Sequence, residues 1–179
     1  MAQEHVALLQ RMSLCQALSA QELVAIAAIA STRSVEAGGE LFREGDAGDG
    51  LYLVVDGEIS VVKRGASGEH VLAKLGPGGV LGEMSLITED ARSATGRAIT
   101  ASSALHLPSG EFRALMDAGS VAALKITAAV AEVLARRLAT MNMLVLGLAA
   151  SEPAAGTARG PMKTQDLAEL HRTMHVWSF

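Results

Sequence analysis

Two charged side chains nine positions apart, Glu83 and Arg92, have the types and the setting needed to bind a phosphate-bearing sugar. Glu83 follows Gly82 at the start of a short stretch of helical character, where unpaired backbone N–H groups favour an anion. Arg92 can add a two-pronged contact to phosphate oxygens that lysine cannot reproduce. Glu83 would repel a phosphate but can accept a hydrogen bond from a neighbouring sugar hydroxyl. The pair predicts a site for a nucleotide with a free ribose hydroxyl and one phosphate charge. An ordinary Glu83–Arg92 ion pair is the alternative interpretation.

Short β-prone runs before this stretch predict that a β domain positions it. The runs are separated by glycine and aspartate turns at spacings of about ten residues, which is typical of a sandwich or a barrel. They lie at 41–42, 51–55, 59–63 and 71–75. Asp56-Gly57 separates two of these runs, and Asp-Gly readily supplies the positive φ angles of a type I′ turn. We therefore expect a hairpin at that position.

Helices are predicted on both sides of the β domain. Ser19 and Glu22 form a capping box that opens a helix over 21–30. The apolar face of this helix carries Leu23, Ile26, Ala27 and Ala30. Ser109 is expected to cap a second, short helix after the β domain.

A longer helix is predicted over about 120–148, and its apolar residues recur at alternating steps of three and four. This heptad seam, interrupted only by Thr127, consists of Leu124, Thr127, Ala131, Leu134, Leu138, Met141, Val145 and Leu148. In the first half, contact with a second helix and packing on the β domain are both open. Beyond Leu138 we expect a homodimer contact, because a compact β domain cannot cover so long a helix.

Composition narrows the possible functions. The 179 residues include 15 Lys+Arg and 19 Asp+Glu, a net charge of −4, so no broad basic face for DNA is expected. One cysteine excludes an internal disulfide and a thiolate metal cluster, and it fits a reducing, cytoplasmic location. The most apolar late segment, 141–150, is too short to cross a bilayer. We expect a helical lead-in at 1–33, a β domain at 34–108, helices at 109–150, and a linker and tail at 151–179.

The central motif resembles that of a known family. The pattern Gly-Glu-x-x-Leu followed by Arg-x-Ala is similar to the phosphate-binding cassette of cyclic-nucleotide-binding domains, as in protein kinase A regulatory subunits and the catabolite activator protein. Its residues here are Gly82, Glu83, Leu86, Arg92 and Ala94. Further likeness at 42–46, 50–54, 56–58 and 135–138 extends the resemblance over about 8–146. The resemblance implies an α+β, mainly β fold: a double-stranded β-helix, or jelly-roll-like β roll, with N-terminal helices and a long C-terminal helix.

The resemblance also implies roles for residues. Glu83 would bind the ribose 2′-hydroxyl and Arg92 an exocyclic oxygen of the cyclic phosphate. The other predicted phosphate and ribose contacts are Gly82, Met84, Ser85, Leu86, Ser93 and Ala94. The predicted base pocket consists of Leu72, Leu75, Leu81, Thr140, Met141 and Asn142. Ser93 after the cassette arginine favours cyclic AMP as the ligand and leaves cyclic GMP as the alternative, and no metal or cofactor is implied.

These observations together predict a sensor and not an enzyme, because no nucleophile, base and orienting group come together in the sequence. Only 29 residues follow Ala150 (179 − 150), too few for a helix-turn-helix domain. We therefore expect a free-standing sensor that signals to an unknown effector by repositioning its C-terminal helix. The alternative is a β-roll protein-interaction module that has lost nucleotide dependence. The tail could form a docking helix or a frayed end; its apolar residues are Leu167, Leu170, Met174 and Trp177.

Overall fold

The computed structural model describes residues 2–88 and 90–150. Its helices are α1 (Ala2–Leu9), a 3-10 turn (Ser13–Cys15), α2 (Ala20–Ile29), α3 (Glu83–Thr88), α4 (Ser109–Asp117) and α5 (Val121–Ala150). Its strands are β1 (Ser31–Val35), β2 (Glu40–Phe42), β3 (Gly50–Asp56), β4 (Ile59–Gly65), β5 (Gly68–Leu75), β6 (Val80–Leu81), β7 (Thr95–Ala98) and β8 (Ser102–Pro108). The predicted linker and tail at 151–179 lie outside the described residues.

Two antiparallel sheets of four strands form the β domain, in the orders β1-β8-β3-β6 and β2-β7-β4-β5. The side chains between them form one core cluster: Tyr52, Val54, Ile59, Leu75, Leu81, Ala98 and Ala104. The alternate residues of β3, Leu51 and Leu53, join a second cluster with residues of the helices. Successive residues of a strand face opposite sides of the sheet, and both sides of β3 are covered by a core cluster. This is why β3 is an almost continuous apolar sequence. The predicted mainly β roll with a C-terminal helix is confirmed.

The predicted hairpin at Asp56-Gly57 is wrong. Gly57 has the expected positive φ of 83°, but the strands before and after it, β3 and β4, belong to different sheets. The hairpin of this region is formed by β4 and β5, where Gly65 pairs with Gly68. An Asp-Gly pair predicts only a positive φ. That backbone conformation serves a hairpin turn, and here it serves a turn that leads the chain from one sheet to the other.

The shorter helices confirm one predicted cap and correct another. At α2, the hydroxyl of Ser19 accepts a bond from the backbone N–H of Glu22, while the Glu22 carboxylate accepts one from the N–H of Ser19. Ser109, however, does not cap α4: this helix begins at Ser109 itself, and its N-cap residue, Pro108, makes no side-chain cap bond. The reason is that β8 runs directly into α4, and the N–H of Ser109 donates to the carbonyl oxygen of Asp49 at 3.0 Å.

The long helix α5 packs on the domain through a stripe beside the predicted seam. The buried residues of this stripe are Ala122, Ala123, Ile126 and Val130. The seam residues Leu124, Leu138 and Met141 are each more than half exposed. The domain therefore leaves these three seam residues largely uncovered. Two other seam residues do contact the domain, since Leu134 packs against its core and the hydroxyl of Thr127 donates to the sulfur of Met116 at 3.6 Å. The seam side chains Val145 and Leu148 lie outside those that the structure describes.

Candidate functional site

Glu83 and Gly82 are positioned by the passage from β6 into α3. Gly82 has a φ of 74°, a conformation that favours glycine, and it turns the chain so that Glu83 is the first residue of the helix. The Glu83 side chain is buried, with the residue 6% exposed, and forms an ion pair with Arg137 of α5. The same guanidinium donates through Nη2 to the carbonyl oxygen of Val80 at 2.7 Å. The contact between Glu83 and Arg137, which are 54 positions apart in sequence, thus joins the cassette to α5.

Arg92 lies in the segment between α3 and β7, and its backbone is fixed by the loop before β3. Its N–H donates to the carbonyl oxygen of Asp46 at 2.8 Å, and its carbonyl accepts from the N–H of Gly45 at 2.9 Å. The residue is only 3% exposed. Its Nη1 donates to the carbonyl oxygen of Gly82 at 3.3 Å and to the hydroxyl of Ser85 at 3.4 Å. The loop therefore holds the guanidinium directly beneath the start of α3.

The charge of Arg92 is balanced by one carboxylate and two aromatic rings. Nη2 forms an ion pair with Asp49, whose side chain is 54% exposed. The guanidinium carbon lies 4.1 Å from the centre of the Phe42 ring and 5.4 Å from that of Tyr52, within the range of cation–π attraction. Nε of Arg92 is buried and has no hydrogen-bond partner in the part of the chain that the structure describes. A buried guanidinium with an unsatisfied donor is a site that an anion would complete.

Asp49 connects Arg92 to two other side chains. Its Oδ2 accepts a bond from the hydroxyl of Tyr52 at 3.1 Å and lies 3.6 Å from Nε2 of His106. Partial burial would raise the pKa of Asp49, but the hydrogen bond and charge of Arg92, helped by His106 and Tyr52, outweigh it and lower the pKa. Burial, followed by the charge of Asp49, raises the pKa of Tyr52 to about 12. Asp49 is therefore a carboxylate at neutral pH, and Tyr52 is its hydrogen-bond donor.

Of the cassette residues predicted from the sequence, Gly82 and Ser85 contact this guanidinium. Ser85 and Leu86 are buried in α3, and Ala94 is buried just before β7. Met84 is 44% exposed, and its sulfur accepts a weak bond from the hydroxyl of Ser93 at 3.8 Å. Met84 and Ser93 therefore form the solvent-facing rim of the site. The two charged residues do not pair with each other, since the ion pairs of the described residues take Arg92 to Asp49 and Glu83 to Arg137.

The residues of the predicted base pocket lie in three different environments. Leu75 and Leu81 are fully buried in the core between the sheets. Leu72 is the extra residue of a β-bulge, because Val61 pairs with Ala73 and Val62 pairs with Val71. The bulge turns the Leu72 side chain outward, where it is partly exposed.

The α5 members of that predicted pocket lie along the exposed second half of the helix. Met141 and Asn142 are exposed. Thr140 donates to the carbonyl oxygen of Arg136 and borders a cavity of about 160 Å³, which is also lined by Leu14, Val80 and Val133. This cavity lies between the 3-10 turn, the segment before β6, and α5, and it does not include Arg92. The three α5 residues are thus not gathered around the buried guanidinium.

Comparison with known proteins identifies the arrangement. The sequence profile of the cyclic nucleotide-binding domain matches residues 32–118. The solved N-terminal domain of a transcriptional regulator from Streptomyces coelicolor A3(2) has 33% identity and a TM-score of 0.62, over 75% of this chain and 94% of that one. The chain belongs to the cyclic nucleotide-binding domain family. This family is regulatory rather than catalytic.

Two curated proteins show the same cyclic nucleotide-binding domain within longer chains. A cyclic nucleotide-gated potassium channel from Mesorhizobium japonicum is 39% identical over 102 residues, 57% of this chain and 27% of the channel. The cyclic AMP receptor protein of Thermus thermophilus is 38% identical over 102 residues, 56% of this chain and 45% of that protein. The chain thus spans less than half the length of these curated relatives.

Three polar residues of this cyclic nucleotide-binding domain were missed by the sequence reasoning: Asp49, His106 and Arg137. Arg137 belongs to the stretch 135–138 that carries part of the resemblance, but the sequence alone predicts no contact for it. Asp49 lies in a glycine-rich turn 43 residues before its partner, where its composition predicts only a turn. His106 looked like one of several scattered histidines. None of the three has a local pattern that points to Glu83 or Arg92.

Within residues 2–88 and 90–150, no group of three or more His, Cys, Asp or Glu side chains could hold a metal ion. The same residues include no single helix that is both long enough and apolar enough to cross a membrane. Taken together, α4 and the part of α5 up to Met143 have the necessary length and composition, but the two helices are bent by 119° relative to each other.

Proposed function

We propose that this chain is a sensor that binds cyclic AMP, with cyclic GMP as the alternative ligand, at the site formed by Glu83 and Arg92. The observation that carries the proposal is the Arg92 guanidinium, which is buried, stacked on Phe42 and left with an unsatisfied Nε. Its carboxylate partner, Asp49, is half exposed, so solvent screens its charge and Arg92 can attract a second anion while the pair is kept. A cyclic nucleotide has the single phosphate charge that such a site requires.

Glu83 supplies the second contact in this proposal. Its buried carboxylate accepts a hydrogen bond from the ribose 2′-hydroxyl while Arg92 binds the phosphate. Because Arg137 already pairs with this carboxylate, it must either share Glu83 with the ligand or move away. A hydroxyl is a weaker partner for a carboxylate than a guanidinium is. The base then lies over Leu72 of the β-bulge, beside Ser93. The serine, and the likeness to the cyclic AMP receptor protein, favour adenine.

Signalling in this proposal follows from the link between Glu83 and α5. A nucleotide that changes the Glu83–Arg137 contact changes the relative stability of the positions of α5, and its differential affinity shifts their populations. The exposed seam with Leu124, Leu138 and Met141 is where we propose that α5 contacts a second copy of the chain. The output is a change of this surface, read by an effector protein.

Titration calorimetry with cyclic AMP and cyclic GMP tests the binding proposal. A hydrogen bond to a charged group contributes about 1.5–3 kcal/mol, so we expect Arg92→Ala to weaken nucleotide binding by about 10- to 150-fold. The control is Arg43→Ala, because Arg43 pairs with Glu40 on the surface and is not in contact with the cassette. Equal affinities for the wild type and Arg92→Ala would refute the role of Arg92.

The role of Glu83 is tested with a modified ligand. The wild type should prefer cyclic AMP over its 2′-deoxy analogue, and Glu83→Ala should lose that preference while still binding both. An unchanged preference in Glu83→Ala would show that the carboxylate does not recognise the ribose.

A second candidate is a protein-interaction module without nucleotide dependence, which the exposed apolar side chains of α5 favour. Thermal shift with a nucleotide panel separates the two functions. A ligand at 100 times its Kd stabilises the folded state by about 2.7 kcal/mol, whereas a module that does not bind nucleotides shows no shift.

A further inference from the structure

His106 is a buried imidazole next to the anion site, and the binding scheme above gives it no role. It lies on β8 and is 4% exposed. Its ring stacks on Tyr52, with the ring centres 4.5 Å apart. Nε2 lies 3.2 Å from the backbone carbonyl oxygen of Asp49 and 3.6 Å from its carboxylate. The imidazole thus contacts both the backbone and the side chain of the residue that pairs with Arg92.

The geometry defines which nitrogen of His106 carries the proton. A carbonyl oxygen can only accept, so Nε2 must be the donor in the contact with Asp49. In the neutral ring, Nδ1 is then the nitrogen with the lone pair. Nδ1 is buried and has no partner within the described residues. The ring can therefore become charged only by taking up a proton at Nδ1 in a site that offers no acceptor for it.

We propose that His106 is a positioning residue for the Arg92 anion site, and that it makes anion binding tighter at lower pH. In the neutral form it holds the Asp49 loop through Nε2, and Asp49 stays paired with Arg92. When Nδ1 takes a proton from solvent, the imidazolium becomes a second cation beside the Asp49 carboxylate. Asp49 then shares its charge between two cations, and Arg92 has more positive potential to offer a phosphate. The inference rests on the proposed function of this site.

The charges that face His106 support this direction. Burial, the largest effect, lowers the pKa of His106, while the carboxylate of Asp49 raises it and the guanidiniums of Arg33 on β1 and Arg92 lower it. Tyr52 faces the ring from β3 as a neutral phenol. The net pKa lies below its ordinary value, so the ring is neutral at pH 7 and becomes charged only as the pH is lowered.

The sign of the effect follows from linkage. A bound phosphate adds negative charge near His106 and therefore raises the pKa of the imidazole. By reciprocity, protonation of His106 must tighten phosphate binding by the same factor. Affinity should rise as pH falls through the interval between the pKa of the bound form and that of the free form. One proton limits the slope to about tenfold per pH unit.

The experiment is calorimetry with cyclic AMP at pH 7.5, 6.5 and 5.5. We expect the wild-type affinity to rise as the pH falls, by no more than about tenfold per pH unit, and binding at the lower pH values to be accompanied by proton uptake when buffers of different ionisation enthalpy are compared. His106→Gln should give a flat profile without proton uptake, since an amide donates to the Asp49 carbonyl but does not titrate. The control is His70→Gln, because His70 bonds to Ser67 at the β4–β5 hairpin, away from the site. The control should keep the wild-type profile.

Two outcomes would overturn the inference: a flat wild-type profile, or the same rise in His106→Gln as in the wild type. If no cyclic nucleotide binds at any pH, the proposed function fails, and the inference fails with it. A histidine NMR titration of the ligand-free protein tests the coupling of His106 to Asp49 separately from nucleotide binding. The His106 signal is the one missing in His106→Gln. Its pKa should fall in Asp49→Asn, which removes the facing carboxylate. A pKa that stays unchanged in Asp49→Asn would show that Asp49 and His106 are not coupled.

Discussion

Replacing Gly82 with alanine should weaken the anion site, because the added methyl group would occupy space that the Arg92 guanidinium fills. Gly82 has a φ of 74°, where a residue with a Cβ costs about 1–2 kcal/mol. A Cβ at this position would also collide with Nη1 of Arg92 and lie 2.9 Å from the carbonyl oxygen of Gly50. The guanidinium must then move and lose its contacts with Gly82 and Ser85. A buried bond to a charged group contributes about 1.5–3 kcal/mol, so we expect a total loss of about 3–5 kcal/mol in the free energy of unfolding.

The matched control is Gly119→Ala. Gly119 has almost the same φ, 73°, but a Cβ there would meet nothing within 4 Å. This variant should therefore show only the backbone cost of about 1–2 kcal/mol. Urea unfolding followed by far-ultraviolet circular dichroism measures both losses, and calorimetry measures the nucleotide affinity. Gly119→Ala should bind as the wild type does, and Gly82→Ala should bind at least tenfold more weakly.

A double-variant cycle covers the case in which Gly82→Ala folds poorly. If the methyl group acts through Arg92, the cost of Gly82→Ala should be about 1.5–3 kcal/mol smaller in the Arg92→Ala background, where the guanidinium is absent. The contact with Gly50 remains in both backgrounds and cancels. Equal stability losses for Gly82→Ala and Gly119→Ala, together with wild-type affinity in Gly82→Ala, would refute this reasoning.

Three further predictions concern α5 and the core. Arg137→Ala removes the contacts with Glu83 and Val80, so hydrogen exchange of the α5 backbone should become faster at 131–143 but not at 122–130. The same acceleration in the surface variant Arg136→Ala would contradict this role of Arg137. Ile126→Ala should destabilise the fold by about 2–5 kcal/mol in urea unfolding, because its side chain is fully buried, and a loss below 1 kcal/mol would contradict the packing. Burial raises the pKa of the Cys15 thiol to about 12, so a disulfide reagent at pH 8 should modify it only after unfolding, and rapid labelling of the folded protein would disagree with that burial.

The sequence predicted the features that depend on neighbouring residues. The capping box of α2 needs only Ser19 and Glu22, and the runs that became β2 to β5 were visible from their composition and spacing. The turn at Gly57 marks the limit of such reasoning. The positive φ was predicted correctly, but the choice between a hairpin and a change of sheet depends on where strands far along the chain pack.

The same division applies to the site. Glu83 and Arg92 are close in sequence, and the sequence predicted both as parts of one site. Their partners come from elsewhere: Asp49 is 43 residues before Arg92, and Arg137 is 54 residues after Glu83. Likewise, the repeat along α5 predicted a helix with an apolar seam, but not that the domain would bury the neighbouring stripe. Short-range patterns are determined by the conformational preferences of each residue and its neighbours in sequence. The choice of partner for a buried charge is set by which surfaces the folded chain brings together, and only the tertiary structure contains that information.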